Sequence, residues 1–193
     1  MSALALDSDL SALLPDRPSK AWYHPIGIND ILKPRRIKDG LRPCALLPYF
    51  IMFTTERLIL RAFRTEDLDD MLHLWNDPLV QRGLSGSGVI PRAPNYKAKI
   101  SGFVDSALFY VIITMKENGA FMGMCNIWLD GGNAKNRDGR MGISISPQYW
   151  NMGYGTEALK FVVDYAFRWL GLHRVSLGVF DSNKRAVAAY EKL

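Results

Sequence analysis

Between residues 147 and 158 the chain reads Pro-Gln-Tyr-Trp-Asn-Met-Gly-Tyr-Gly-Thr-Glu-Ala, a glycine-bearing turn that opens directly into a helix-forming stretch. Gly153 and Gly155 let the backbone come close to a ligand. The unpaired N–H groups of the first helical turn, at the positive end of the helix dipole, would then receive an anion, and a pyrophosphate is the natural occupant. Alone, Gly-x-Gly at a helix start is a weak motif, because many such glycines serve only the turn. A dinucleotide-binding fold would need a third glycine and a β-α-β start. Here the turn follows a run of strand candidates, which sets that reading aside.

The elements around the turn are legible. Arg140 to Ser146 reads as the strand that feeds it. A helix follows from about Gly155 to Leu170: Ala158, Phe161, Val162, Tyr165, Ala166 and Trp169 form one continuous apolar face, and Gly171 stands just past its end. Arg174 to Phe180 alternates as a strand. Asp181-Ser182-Asn183 is a turn and cap before a last helix, Lys184 to Leu193. Upstream, Leu108 to Met115 and Ala120 to Leu129 are strand candidates joined at Glu117-Asn118-Gly119. A loop beginning Asp130-Gly131-Gly132-Asn133 leads to the third strand of the meander. Glu56 to Phe63 is an opening strand, Thr65 an N-cap, and Leu68, Met71, Leu72 and Trp75 fall at helical spacing. Residues 81–102, broken by Gly83, Gly86, Gly88, Pro91 and Pro94, read as a loop-rich connection.

Before residue 52 the pattern is irregular. Six of the ten prolines (Pro15, Pro18, Pro25, Pro34, Pro43 and Pro48) lie there and argue against long helices or central strands. The basic cluster Lys33, Arg35, Arg36, Lys38 and Arg42 reads as a solvated linker rather than a nucleic-acid arm. The chain thus divides into a Pro-rich extension, 1–52, and a regular domain, 53–193.

With 48% hydrophobic and 22% charged residues, a chain of 193 residues can bury a sizeable core, which excludes fibrous and wholly disordered classes. The net charge of +5 attracts phosphates, on nucleic acid or on a small anionic cofactor, without choosing between them. Cys44 and Cys125 are far apart and lack a Cys/His cluster, so neither a disulfide framework nor a metal site is expected. The N-terminus carries acids and lacks the basic start of a secretory signal. The most apolar run, Ala45 to Phe53, contains Pro48 and falls well short of the ~20 residues a bilayer span requires. A cytoplasmic protein, or a nuclear one, without a membrane partner is expected.

The run GISISPQYWNMGYGTEALKFVVDYAF resembles the acetyl-CoA-binding signature of the GNAT superfamily of N-acetyltransferases, in the branch of ribosomal-protein alanine and spermidine acetyltransferases. LGLHRVSLGVFDSNKRAVAAYEKL is similar to the next motif of that branch, and FTTERLILRAF to its opening strand. Together they cover roughly residues 53–193. The resemblance implies an α/β (α+β) GNAT fold, with a mixed, mostly antiparallel central sheet flanked by helices, and acetyl-CoA as co-substrate.

The resemblance also implies roles for particular residues. The turn Trp150, Asn151, Met152, Gly153, Tyr154, Gly155 and Thr156 would hold the coenzyme pyrophosphate, largely through backbone N–H groups. The strand edge at Ile143, Ser144 and Ile145 would pair with the pantetheine arm, and Asn183 would touch or support it. Tyr190 matches the tyrosine that faces the coenzyme sulfur in many members. Asn183 and Tyr190 lie nearly two helical turns apart and so share a face. A phenol with an ordinary pKa near 10 is protonated at neutral pH and can donate to a departing thiolate. The base that would deprotonate the amine is not identifiable; His73, Asp138, His173 and an ordered water chain are the candidates.

Three features depart from the family pattern. Trp150 stands where many members have Gln or Arg, and Arg140 where this branch commonly carries Glu. The chain stops at Glu191-Lys192-Leu193, where the family typically continues with Gly-Phe and a final strand or two. Missing final strands would leave a sheet edge uncovered, favouring self-association as a homodimer. The expectation is a truncated product, with Met52 resembling the start of the domain proper. The leading functional reading is an N-acetyltransferase acting on a primary amine, either a protein N-terminus or a small molecule. The alternative is a non-catalytic or truncated acyl-CoA-binding domain. A nucleic-acid-associated module is the weakest of the three.

Overall fold

A computed structural model describes residues 23–27, 52–84, 88–129 and 136–193. The basic cluster and the Asp130–Asn133 loop lie outside the described residues.

Seven strands form one sheet: β1 (Tyr23–Gly27), β2 (Met52–Thr54), β3 (Leu58–Arg61), β4 (Phe109–Met115), β5 (Phe121–Leu129), β6 (Asp138–Ile145) and β7 (Arg174–Phe180), in the order β1-β7-β6-β5-β4-β3-β2. Every neighbouring pair is antiparallel except β6 and β7. The helices are α1 (Asp67–Asn76), α2 (Pro78–Leu84), α3 (Lys97–Ser106), α4 (Tyr154–Arg168) and α5 (Lys184–Tyr190). The mixed, mostly antiparallel sheet flanked by helices is the architecture the sequence implied.

Both faces of the sheet are covered, which is why β4 and β5 read as runs of buried residues rather than as alternating ones. On one face Ala158, Leu159, Val162, Val163 and Ala166 of α4 pack with Leu58, Leu60, Val111, Cys125 and Val175. On the other, Met71, Leu74 and Trp75 of α1 and Ile100 of α3 pack on Ile112 and Met124.

Several expectations are corrected. The opening strand is a short hairpin, β2 and β3, turning at Thr55–Arg57. Within 81–102 the described residues hold more helix than expected: α2 runs to Leu84, and a 3-10 turn at Pro94–Tyr96 leads into α3. Proline is tolerated in the first turn of a helix, where its missing N–H has no intrahelical partner, so the break at Pro94 is a start. Thr65 does not cap α1 through its side chain; the carboxylate of Asp67 accepts the Arg64 N–H and an ion pair from Arg61 instead. The outer edge of β7 is not bare, because β1 pairs with it antiparallel, Pro25 opposite Gly178. A strand containing proline belongs at a sheet edge, since proline cannot donate to a further ladder.

The β4–β5 ladder shifts register between Ile113 and Thr114, opposite Gly123 and Phe121. Gly123 there has φ +153, and a Cβ on it would sit 2.0 Å from the Ser144 carbonyl oxygen. Only glycine fits so close to β6.

Candidate active site

The site begins where two parallel strands separate. β6 and β7 pair only over Asp138–Arg140 and Arg174–Ser176, although both run further. Beyond Arg140 the outer edge of β6 is therefore unpaired. Ser146 donates its N–H to Met122 of β5 at 2.8 Å. Since backbone groups alternate in direction along a strand, those of Ser144 also face β5, while those of Ile143 and Ile145 face the gap. Of the three residues expected to form the edge, Ile143 turns both backbone groups to the gap and Ile145 its N–H, its carbonyl being taken by the Trp150 indole. Ser144 is buried in the ladder.

The gap opens into a cavity of ≈ 440 Å³ lined by β6, the turn after it, the start of α4, β7, α5 and, from the opposite face, α2. Trp150, Asn151, Gly153, Gly155 and Thr156 all line it. Met152 and Tyr154 do not line it: the Met152 side chain is exposed, and the Tyr154 ring lies under the Arg57 guanidinium. Asn151 and Gly153 adopt positive φ, +61 and +83, which curls the turn around the α4 N-terminus. Gly153 is the N-cap of α4 and supplies no side-chain cap. The first intrahelical bond is Glu157 N–H to the Gly153 carbonyl, so the N–H groups of Tyr154, Gly155 and Thr156 keep no protein partner. Uncapped donors at the start of a 15-residue helix fit a pyrophosphate of the kind coenzyme A carries.

The turn is tied down from far away in the chain. Glu157 accepts from the Thr55 hydroxyl at 2.5 Å, from the Arg57 N–H at 2.8 Å and from Arg57 Nε at 2.7 Å. Arg57 Nη1 then donates to the Met152 carbonyl at 3.0 Å, and its guanidinium lies 4.3 Å from the Tyr154 ring centre. Burial pulls the Glu157 carboxyl upward, but the bonds from Thr55 and Arg57 outweigh it and hold the group below its ordinary pKa. Neither Arg57 nor Glu157 was singled out from sequence. The acid beside the glycines and the arginine of the opening strand are a hundred positions apart, with no local signal to join them.

Asn183 lines the cavity and also caps α5, its Oδ1 accepting the Ala186 N–H at 3.2 Å. Tyr190 lines the same cavity from the end of α5 and is 9% exposed. Burial, with a smaller contribution from Cys125, pushes its phenol up to about 12, so it is protonated throughout the neutral range. Trp150 donates its indole N–H to the Ile145 carbonyl at 2.7 Å, and the Arg185 guanidinium stacks 3.3 Å from the centre of the indole. Arg185 and Lys192 are the cations on the cavity wall, and sequence reasoning passed over both.

The candidate bases are not brought to the site. His73 is exposed on α1, and Asp138 and His173 sit at the end where β6 and β7 remain paired; none lines the cavity. Among the described residues no group of His, Cys, Asp and Glu is placed to hold a metal, and no helix is long and apolar enough to cross a membrane.

The likenesses to known proteins agree with this geometry. The profile of the Acetyltransferase (GNAT) domain matches residues 57–193, and the chain belongs to that family. It is an acetyl-CoA-dependent acetyltransferase. An N-acetyltransferase of Bacillus licheniformis, p20, is 27% identical over 147 residues, covering 72% of this chain and 79% of its own. The spermidine N(1)-acetyltransferase of Escherichia coli K12 is 38% identical over 61 residues, 32% of this chain and 33% of its own. Among solved structures, a GNAT acetyltransferase from Bacillus anthracis superposes with a TM-score of 0.61 at 21% identity, covering 73% of this chain and 81% of its own. The spermidine N-acetyltransferase of Vibrio cholerae, in complex with CoA and spermine, gives 0.61 at 22%, covering 72% and 80%. At these identities the two structures speak to the fold alone.

Proposed function

We propose that the chain transfers the acetyl group of acetyl-CoA to a primary amine by direct attack, with no covalent enzyme intermediate. One observation carries this reading: the uncapped start of α4, the unpaired edge of β6 and the protonated phenol of Tyr190 meet in one cavity. The pyrophosphate would rest on the N–H groups of Tyr154, Gly155 and Thr156, and the pantetheine arm would add to β6 at Ile143 and Ile145. The neutral amine attacks the thioester carbonyl, whose oxygen takes negative charge and accepts a backbone N–H from that edge. The C–S bond then breaks, the thiolate receives a proton from Tyr190, and the proton lost by the new amide nitrogen returns to the phenol through water. The products are an N-acetyl amide and free coenzyme A.

A second reading, an acyl-CoA-binding domain without turnover, draws on the absence of an imidazole or carboxylate from the cavity wall among the described residues. Calorimetric titration of acetyl-CoA, alongside a thiol-release assay with amines, separates the two. Binding with turnover supports the enzyme, and binding without turnover supports the second reading. Gly153→Glu should abolish binding, because its φ of +83 disfavours a side chain and a Cβ would come 3.3 Å from Arg57. Unchanged binding by that variant would refute the assignment of the turn.

A further inference from the structure

We infer that the acceptor is a monoamine on an apolar body and not a polyamine, an inference that rests on the acetyltransferase reading above. The stretch of cavity wall that α2 contributes is apolar: Leu79, Val80 and Leu84, with Gly83 between them. Leu79 and Leu84 are 53% and 37% exposed, and Ile90 beside them is 55% exposed. Gln81 fastens this strip, bonding both the N–H and the carbonyl of Ile90. An apolar surface at the mouth of a cavity recovers free energy by receiving apolar substrate, since water gains nothing by staying there.

Charge points the same way. Among the described residues no Asp or Glu lines the cavity, whereas Arg185 and Lys192 do. The carboxylates at the starts of α2 and α4 are already engaged. Asp77 accepts the Leu79 and Val80 N–H groups at the start of α2, and Glu157 is held by Thr55 and Arg57. A polyamine keeps one or more ammonium groups besides the one that reacts, and each needs a carboxylate or an aromatic face when drawn out of water. The obvious aromatic face, Trp150, is occupied by the Arg185 guanidinium. A second cation lying against α2 would therefore meet apolar side chains. The spermine-bound Vibrio cholerae enzyme shares the fold, and the difference would lie in this wall.

The test measures thiol release by the full chain at saturating acetyl-CoA with 2-phenylethylamine and with spermidine, and acetyl-CoA binding is checked by calorimetry. The kcat/KM for 2-phenylethylamine should exceed that for spermidine at least tenfold. Leu79→Glu, at an exposed position that tolerates charge, should raise kcat/KM for spermidine at least fivefold and lower it for 2-phenylethylamine. Spermidine used as well as or better than the monoamine by the unaltered chain would overturn the inference, as would an unchanged ratio in the variant. Acetyl-CoA binding with no turnover of either amine would overturn it while leaving the cofactor site intact. Failure to bind acetyl-CoA would sink the reading beneath it.

Discussion

Replacing Arg57 by alanine tests how the pyrophosphate turn is held. The change removes the Nε bond to Glu157, the Nη1 bond to the Met152 carbonyl and the stack on Tyr154, while keeping the backbone bond from Arg57 N–H to the carboxylate. Charge-assisted hydrogen bonds contribute about 1.5–3 kcal/mol when shielded. The Arg57 side chain is 42% exposed, so each is discounted to roughly 0.5–1 kcal/mol, and the pair to about 1–2 kcal/mol. If most of that loss falls on the turn, the acetyl-CoA Kd rises about five- to twentyfold at 1.4 kcal/mol per decade. The kcat at saturation stays within about twofold, because the lost groups act before chemistry begins. Calorimetry, saturation kinetics and a melting curve provide the three readouts. A folded Arg57→Ala protein with unchanged Kd, or one whose kcat falls as far as its affinity, would refute the reasoning. Arg57→Lys restores the charge without the two-pronged geometry and should recover only part of the loss. Because the Glu157 carboxyl is held below its ordinary value, the clamp is intact above that value. It is lost only as pH falls below the ordinary carboxylate range, about 4 to 4.5.

Three further outcomes are expected. Tyr190→Phe should lower kcat about tenfold or more with the acetyl-CoA KM within about threefold. With the phenol pushed up to about 12, kcat of the unaltered enzyme should show no Tyr190-linked fall below pH 10. The stability conferred by that buried, protonated phenol is complete below its unfolded pKa of about 10 and is lost only as pH rises towards 12; a kcat that halves near pH 10 would contradict the burial argument. Gly123→Ala should cost about 3 kcal/mol or more, lowering Tm by about 10 °C, since its Cβ would fall 2.0 Å from the Ser144 oxygen. A soluble variant with unaltered Tm would show that β6 can move away. In a Cys44→Ser background, Cys125, fully buried with its thiol pushed up to about 12, should resist an aromatic disulfide reagent until urea unfolds the chain. Prompt labelling of the native protein would mean that the sheet opens.

Much of the fold was legible because local chemistry repeats. The apolar face of α4 has helical period, β7 alternates, and Asn183 stands where a cap must be, so α4 and β7 were found within two residues and α5 at its start, although it ends at Tyr190, three residues before Leu193. The misreadings came from local signals with two meanings. The proline and glycine breaks of 81–102 suggested loop, but Pro94 begins a helical turn and Gly83 lies within α2. Proline in 1–52 argued against a central strand, yet an edge strand satisfies the same rule, and β1 is one.

By itself, the sequence determined the order of elements, the glycine turn with its uncapped helix start, and the tyrosine sharing a helix face with Asn183, because each depends on residues within a few turns of one another. Only the tertiary structure decided where β6 and β7 part, that Ser144 faces the ladder while Ile143 and Ile145 face the gap, and that Arg57 and Glu157 pin the turn. It alone decided that His73, Asp138 and His173 stay away from the cavity while α2 closes it with leucines. Those facts depend on contacts between distant segments and on the direction in which each backbone group points, and neither leaves a period or a spacing in the chain.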